Sequence, residues 1–390
     1  MRKLPLLSLP LAAALGLGVL VAPAQIPVAS ATPATTIADS PVDEVLDATL
    51  GPDGTLYAVG GFQEAGPATG GITRLSTSTA QVDRTFPTVN GYVYEMLADP
   101  SGRIYLAGNF VSVSGQPRSG LARLNADGSL DTTWSPSLGQ PHVNALALNG
   151  TTLFVGGQFT QVNGASQQNL AAIDTVTGQA LAWTPNPNTA VQALATDDSY
   201  LYVGGSFTTP KPRLASYSLA DLTLRNAWSP SPDYGVGALA TANGVVYAGG
   251  DFTQIASVNR RLIAALDPIT GAATNWDPRI SNAGSSVNTI VTDDTLVYVG
   301  GNFTSVNNGV TRNRVMAINT DDTGSVTPWN PNVGPSQVVY SLAVTDSQVY
   351  IGGQFPNVGG SPMPNLARVS KTTGALDNSW NPGIETSRGG

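Results

Sequence analysis

Six polar residues occupy the same position in successive repeats of this chain. Each follows two small residues and directly precedes a phenylalanine. They are Asn109, Gln158, Ser206, Asp251, Asn302 and Gln354. Amide, hydroxyl and carboxylate groups that a repeated fold brings together can donate and accept hydrogen bonds around a ligand. Alternatively, each side chain satisfies backbone groups of its own turn, because buried backbone needs partners in every repeat. Both interpretations stay open from the sequence.

Arginines in the long segments that follow these phenylalanines form a second group of candidate binding residues. They are Arg118, Arg213, Arg260, Arg261, Arg312 and Arg314. A guanidinium group pairs bidentately with carboxylate or phosphate, so a locally positive rim could attract an acidic polymer. Hydrogen bonds to main-chain carbonyls or to Asp inside the loops are the alternative role of these side chains.

The residues that usually carry catalysis are scarce. The chain has no cysteine and one histidine, His142, which lies between Pro141 and Val143. Thiol catalysis and a copper site with two histidines are therefore excluded, and no GxSxG motif accompanies His142. Zinc is disfavoured, because cysteine and histidine are its usual structural ligands. We predict no catalytic residue, while an enzyme site built from Tyr, Arg and Asp stays open as the alternative.

Adjacent carboxylates are the remaining candidates for binding a cation. The pairs Asp197-Asp198, Asp293-Asp294 and Asp321-Asp322 fall in predicted hairpin turns, where Asp caps its own backbone. No loop has the spacing of an EF-hand. We predict no cofactor and no metal, with a weak calcium site at these turns as the alternative.

A seven-fold repeat must position all of these residues. An aromatic-glycine phrase recurs about every 50 residues, a period typical of propeller arrays. It reads LYAVGGF, IYLAGNF, LFVGGQF, LYVGGSF, VYAGGDF, VYVGGNF and VYIGGQF. An aromatic residue shortly before a proline keeps the same period, at Phe86, Trp134, Trp183, Trp228, Trp276, Trp329 and Trp380. These aromatic residues are expected to fill the space between neighbouring sheets.

The third repeat illustrates the strands that the pattern predicts. VNALAL is strand a, Asn149-Gly150 is a hairpin turn, LFVGG is strand b and LAAID is strand c. Strand d ends at Trp183. One four-stranded sheet cannot bury both of its faces, so neighbouring sheets must stack. The prediction is an all-β fold, a seven-bladed β-propeller with four antiparallel strands per blade.

The repeats also predict the domain boundaries. Residues 32–44 form an N-terminal segment that could contribute to ring closure, a role that the strand ending at Trp380 could equally take. Residues 385–390 are a tail. The propeller spans 45–384, with repeats near 45–92, 93–142, 143–190, 191–235, 236–286, 287–338 and 339–384.

The first residues and the charge predict location and partners. Arg2 and Lys3 precede an apolar run, and small residues end at Ala31, so residues 1–31 are predicted to be a signal peptide of a secreted protein.

A formal net charge of −8 disfavours binding to nucleic acid, which requires a basic surface. No later apolar run is long enough to span a bilayer. We predict a monomer in the mature form.

Loop lengths indicate where a partner binds. Because strands alternate in direction, the short a–b and c–d turns lie on one face and the long, variable b–c and d–a loops on the other. Binding residues concentrate in such loops on a rigid scaffold. The sequence therefore predicts a non-catalytic module that binds a protein or glycan partner through its long-loop face. The alternative is a carbohydrate-active or quinoprotein-like enzyme with a site in the axial funnel.

One repeat phrase carries a family resemblance. LARLNADGSLDTTWSP, from Leu121 to Pro136, together with IYLAGNF, resembles the delta-60 repeat family of bacterial propellers, and the resemblance covers all seven repeats. It implies a propeller that serves as an extracellular or surface module. The paired glycines followed by an aromatic residue are similar to kelch repeats. The segment 172–178 with Trp183 resembles a quinoprotein motif, and the segment from Asp322 to Trp329 a sialidase Asp-box, both with one residue too many.

Overall fold

Antiparallel β-strands account for all regular secondary structure in the residues described here. The structure is a computed structural model that describes residues 44–61, 71–83, 85–280, 284–293, 295–307, 309–321, 323–334 and 337–384. The predicted signal peptide, the tail at 385–390 and most of the predicted segment 32–44 lie outside these ranges. The residues that the structure describes contain no candidate for a membrane-crossing helix.

Hydrogen bonds group the described strands into seven sheets of three or four strands, here numbered 1 to 7 in chain order. Each sheet begins with an inner strand: Val45–Leu50, Val89–Ala98, Val143–Asn149, Val191–Thr196, Val236–Ala242, Val287–Thr292 and Val338–Val344. A short turn leads to a middle strand: Leu56–Gly60, Ile104–Val113, Thr152–Gly157, Tyr200–Gly205, Val245–Gly250, Leu296–Gly301 and Gln348–Gln354. The outer strand then pairs with the other edge of the middle strand: Ile72–Leu75, Leu121–Leu124, Leu170–Asp174, Leu214–Ser218, Ile263–Leu266, Val315–Asn319 and Leu366–Ser370.

The fourth strand predicted for each repeat is much reduced. Sheet 1 has a fourth strand, Val82–Asp83, whereas the other sheets show one bridging pair each: Leu124–Leu130, Ile173–Ala180, Tyr217–Leu224, Leu266–Ala273, Ile318–Val326 and Val369–Leu376. The segment after Leu130 shows why the pairing ends. Asp131 Oδ1 accepts hydrogen bonds from the N–H groups of Thr133 and Trp134. These two N–H groups are therefore not available for pairing with a neighbouring strand.

Short hairpins extend the segments between middle and outer strands. In sheet 2 the middle strand itself continues to Val113 and pairs with Gln116–Pro117. Four other sheets carry separate two-stranded hairpins: Gln161–Val162 with Ala165–Ser166, Gln254–Ile255 with Val258–Asn259, Ser305–Val306 with Val310–Thr311, and Asn357–Val358 with Ser361–Pro362. Main-chain hydrogen bonds therefore organise these segments into hairpins.

The sheets form a closed ring. Each inner strand contacts the inner strands of both neighbouring sheets, and the inner strand of sheet 7 contacts that of sheet 1. At this seam Trp380, from the segment after sheet 7, packs with Val45 and Ala48 of sheet 1. The inner strands thus surround a common axis.

Tryptophans join each sheet to the next. The indole N–H of Trp134 donates to the main-chain oxygen of Asp174 in the next sheet, and that of Trp228 donates to Asp267. The same bond recurs at Trp183, Trp276, Trp329 and Trp380. Each of these rings also meets an aromatic ring of its own middle strand, as Trp134 meets Tyr105 with centroids 5.3 Å apart. The predicted packing role of the aromatic phrase is confirmed.

The paired glycines permit two close approaches, as sheet 3 illustrates. A Cβ on Gly156 would lie 2.4 Å from Cγ1 of Val191 in the next sheet. A Cβ on Gly157 would lie 2.2 Å from the main-chain oxygen of His142. The register shifts between these two glycines, which marks a β-bulge. Glycine is therefore required both for sheet stacking and for the bulge.

Candidate functional site

The long segments between the strands emerge on one face of the ring, which we call the long-loop face. Between middle and outer strands its described residues are 111–120, 158–169, 206–213, 251–262, 302–307, 309–314 and 355–365. The segments that enter the inner strands complete it, at 135–142, 184–190, 229–235, 277–280, 284–286 and 330–334. The turns after inner strands and after outer strands lie on the opposite face, because antiparallel strands alternate in direction.

The six polar residues predicted as binding groups lie where the middle strands reach the long-loop face. We call them the polar ring; Gln158, Ser206 and Asp251 are exposed, while Asn109, Asn302 and Gln354 are half-buried. The phenylalanine that follows each of them is buried. Each polar side chain therefore sits at the boundary between a buried aromatic anchor and solvent.

The contacts of the polar ring divide its members between the two roles that the sequence left open. Asn302 Oδ1 accepts a hydrogen bond from the N–H of Ser286 at 2.6 Å, which is the turn-satisfying role. Ser206 Oγ donates to Gln192 Oε1 at 3.2 Å. Within the described part of the chain, the remaining four side chains form no hydrogen bond: Asn109, Gln158, Asp251 and Gln354. These four retain their hydrogen-bonding capacity for a ligand.

Ring members of sheets 4 and 5 converge next to Gly235. The point that a Cβ on Gly235 would occupy lies 3.0 Å from Asp251 Oδ1, 3.6 Å from Ser206 Oγ and 3.8 Å from Gln192 Oε1. Two of these three groups belong to the polar ring, and Gln192 belongs to the inner strand of sheet 4. Gln192 was not predicted from the sequence, although its position beside the bulge could have indicated it.

Exposed apolar side chains accompany the polar ring on the long-loop face. The exposed fractions are 57% for Val111, 57% for Tyr234, 39% for Val258 and 45% for Val310. Beside Val111, a shallow cleft is lined by Arg118 and the segment 135–137. Polar and apolar contact groups therefore share this surface.

Three predicted binding arginines hold the loops instead of facing outward. The Nη2 groups of Arg118, Arg260 and Arg312 donate to the main-chain oxygens that follow their outer strands, at 3.0, 2.8 and 2.7 Å. Gln167 and Lys211 make the same contact in sheets 3 and 4. Burial lowers the pKa of Arg118 and of Arg312. These contacts favour the loop-stabilising alternative for the three arginines.

The other three predicted arginines differ from one another. Arg213 and Arg314 have left-handed backbone, with φ of 60° and 68°, at the position where sheet 2 has Gly120. Arg213 Nη1 donates to the main-chain oxygen of Pro232, while Arg314 is buried and its Nε has no partner among the described residues. Arg261 is exposed. Of the six arginines predicted to form a positive rim, Arg261 is therefore the one with an exposed side chain.

Two buried carboxylates on inner strands were missed by the sequence analysis. Asp47 and Glu95 lie at equivalent positions of their inner strands. At this position sheet 3 has Ala145, and the sheets that follow have alanine, threonine or serine. Asp47 Oδ2 accepts the N–H of Met96 at 2.8 Å, and Glu95 Oε2 accepts the N–H of Leu146 at 2.9 Å. Burial raises the pKa of Asp47 to about 7. The signal was available, because both carboxylates interrupt the repeat.

Ionisable residues also occupy the positions directly before two inner strands. Glu44 is buried beside Tyr340 of sheet 7, and burial raises its pKa to about 7 although the hydrogen bond to Tyr340 opposes this. His142 lies against Tyr94 of sheet 2, with ring centroids 5.3 Å apart. Glu44 and His142 thus each contact a tyrosine on the inner strand of the preceding sheet.

The aspartates considered for cation binding cap turns. Asp197 Oδ1 accepts the N–H groups of Ser199 and Tyr200, and Asp293 and Asp321 have corresponding bonds in their turns. Asp294 and Asp322 lie outside the described residues. In the ranges that the structure covers, no three His, Asp or Glu side chains are arranged to hold a metal ion.

Comparisons with known proteins identify the class of fold. A family described as a domain of unknown function, DUF5122 beta-propeller, matches residues 100–133 and 293–323, which fall in sheets 2 and 6. No curated protein matches this chain. The computationally designed Ika8 protein superposes with a TM-score of 0.55 at 15% identity, covering 88% of this chain and 89% of that one.

Two natural structures show the same fold. The extracellular domain of the putative one component system BT4673 from B. thetaiotaomicron has a TM-score of 0.54 at 11% identity, covering 89% of this chain. This protein spans 43% of that longer chain. The RRP9 WD40 repeats give 0.55 at 11% identity, covering 86% of this chain and 96% of theirs. The protein is therefore an all-β protein of the β-propeller class, as the sequence predicted.

Proposed function

We propose that this protein is a secreted β-propeller that binds a protein or glycan partner through its long-loop face. Each of the seven sheets is one blade, and the repeats are of the delta-60 type. The fourth strand of six blades is shortened to a bridge. The signal-peptide pattern of residues 1–31 supports export, and the mature protein is a monomer without cofactor.

The composition of the long-loop face carries this proposal. Asn109, Gln158, Asp251 and Gln354 offer hydrogen-bonding groups that no described residue uses. Exposed apolar side chains, including Tyr234 and others named above, stand on the same surface. Recognition surfaces combine apolar contact area with a few oriented polar groups. The ordered hairpins hold these groups in place, which reduces the entropy lost on binding.

Paired surface variants test the location of the binding surface. We expect Val258→Asp combined with Val310→Asp to abolish capture of the ligand from a panel of oligosaccharides and secreted proteins. The matched control is Val176→Asp combined with Ile269→Asp, because these exposed residues lie in turns of the opposite face. Surface plasmon resonance measures both. Loss of binding in the control pair, with binding kept in the first pair, would contradict the proposal.

An enzyme with a site near the axis is the second candidate function. The observation that favours it is the buried pair of Glu44 and Tyr340, because a carboxyl group with a pKa of about 7 is suited to general acid catalysis. Turnover of polysaccharides, including uronic acid polymers, tests this candidate. Turnover that disappears in Glu44→Gln would support the enzyme and would overturn the non-catalytic proposal.

A further inference from the structure

The geometry points to a subsite for a neutral sugar ring at Tyr234, Asp251 and Gln192, on the long-loop face between sheets 4 and 5. This inference rests on the proposed function, because it names the ligand class for part of that face. Tyr234 supplies an apolar platform. Asp251 and Gln192, with Ser206, supply groups that bind hydroxyls.

Gly235 creates the space for a ligand between these polar groups. Gly235 is the residue whose main-chain oxygen lies against Gly250, the fifth residue of the aromatic-glycine phrase. The corresponding residue carries a side chain in every other sheet: Glu44, Tyr92, His142, Ala190, Ser286 and Val338. At Gly235, three oxygen atoms of Asp251, Ser206 and Gln192 lie within 4 Å of the point that a Cβ would fill. Because Gly235 carries no Cβ, a ligand hydroxyl can approach its backbone closely from this side and meet several hydrogen-bonding groups at once.

The backbone on both sides of Tyr234 is fixed. The carboxylate of Asp233 accepts the N–H groups of Thr253 and Gln254 at 2.8 and 2.9 Å, and Asp233 N donates to the oxygen of Gln254. On the other side, Asp251 N donates to the oxygen of Gly235 at 3.3 Å. Tyr234 is nonetheless 57% exposed. An exposed aromatic ring on an anchored backbone loses little entropy when a ligand packs against it.

The mixture of polar groups favours a sugar over a cationic side chain. Gln192 carries an amide NH₂ and a carbonyl oxygen, Ser206 carries a hydroxyl, and Asp251 accepts. Sugar hydroxyls both donate and accept, so they match this set, whereas a lysine ammonium only donates. The apolar face of a pyranose can pack on the ring of Tyr234, as apolar groups pack on exposed aromatics.

The charges around the subsite favour a neutral sugar. Asp233 and Asp251 are both acidic residues, and the guanidinium group of Arg213 donates to the main-chain oxygen of Pro232. A uronic acid or a sulfated sugar would place a like charge next to Asp251, which is unfavourable. The subsite is therefore expected to take neutral hexoses in preference to acidic sugars.

An array of immobilised neutral and uronic-acid oligosaccharides, followed by titration calorimetry with the bound neutral oligosaccharide, tests the inference. We expect Tyr234→Ala to weaken binding about tenfold, which corresponds to about 1.4 kcal/mol. Tyr234→Phe keeps the platform and retains binding. Gly235→Ala fills the space between the polar groups and also weakens binding.

The three atoms nearest to the Cβ position of Gly235 all belong to side chains, the nearest being Asp251 Oδ1 at 3.0 Å, so side-chain movement can accommodate Gly235→Ala. Val176→Ala, at an exposed residue in a turn of the opposite face, is the control and keeps full affinity. Binding of neutral sugars that survives both Tyr234→Ala and Gly235→Ala overturns the subsite, as does a preference for uronic acids. If no sugar binds but a protein ligand is lost in Val258→Asp with Val310→Asp, the subsite fails while the proposed function stands.

Discussion

The indole nitrogen of Trp380 donates a hydrogen bond to the main-chain oxygen of Ser76 at 3.1 Å, between residues 304 positions apart in the chain. The same bond joins Trp228 to Asp267 of the next sheet at 3.2 Å. The first bond therefore closes the ring, whereas the second joins sheets that are also connected by the chain. This difference makes the seam the place where the ring can open without breaking a chain connection.

We expect Trp380→Phe to destabilise the ring at the seam. The substitution keeps an aromatic ring but removes the indole donor, so the oxygen of Ser76 keeps only its bond from the N–H of Ala80. The loss of this hydrogen bond lowers the free energy of unfolding by about 1 kcal/mol. Urea unfolding measures the loss, with Trp228→Phe as the control for the same chemistry inside the ring. Hydrogen exchange should become faster in the inner strand of sheet 1 in Trp380→Phe alone. Equal exchange in the two variants would show that the seam is no weaker than other junctions.

Stability should fall as the pH rises from about 4.5 to about 7. Burial raises the pKa of both Glu44 and Asp47 to about 7, so the folded state holds protons that the unfolded state releases over this interval. Asp47→Asn keeps an acceptor for the N–H of Met96 and removes the titration. Urea unfolding at pH 4.5, 6 and 7.5 should show a shallower decline in Asp47→Asn. A free energy of unfolding that increases over this range would contradict the prediction.

Gly156→Ala should lower the free energy of unfolding, although it adds only one methyl group. The added Cβ would lie 2.4 Å from Cγ1 of Val191, so sheets 3 and 4 must separate, and overpacking of this kind costs about 1–3 kcal/mol. Gly334→Ala is the control, because nothing lies within 4 Å of its Cβ position. Thermal unfolding compares the two. A neutral Gly156→Ala would show that the stacking of these sheets is looser than the distances indicate.

Arg312 and Arg261 should respond differently to substitution. Arg312→Gln can keep the bond to the oxygen of Thr327, as Gln167 does in sheet 3, whereas Arg312→Ala loses it and about 1 kcal/mol of stability. Arg261→Ala changes only the exposed charge of the rim and should leave stability unchanged. If a carboxylate-bearing ligand binds, Arg261→Ala weakens it and Arg312→Gln does not. If Arg312→Gln and Arg312→Ala lose the same stability, the hydrogen bond to the oxygen of Thr327 does not contribute to stability.

The sequence predicted the architecture well because blade packing repeats. Trp134 and the pair Gly156-Gly157 recur in nearly every unit, so their role could be inferred from the period alone. The fourth strand was overestimated, because the turn capped by Asp131 competes with strand pairing and a hydrophobic pattern does not reveal this competition.

The candidate site was predicted in part. The sequence predicted that Asp251 lies on the long-loop face, and the structure has it there. The role of Arg118 depends on a main-chain oxygen 13 residues away that no side-chain pattern specifies. Asp47 was not predicted, although a carboxylate in an apolar strand interrupts the repeat. Its contact with Met96 joins residues 49 positions apart and appears only once the sheets are stacked.

The most direct test of the binding account is a hydrogen-exchange comparison of the free protein and its complex with the captured ligand. The account predicts that protection on binding is confined to the long-loop face, with the strongest change near Tyr234 and Asp251. Protection confined to the turns that contain Val176 and Ile269 would contradict it.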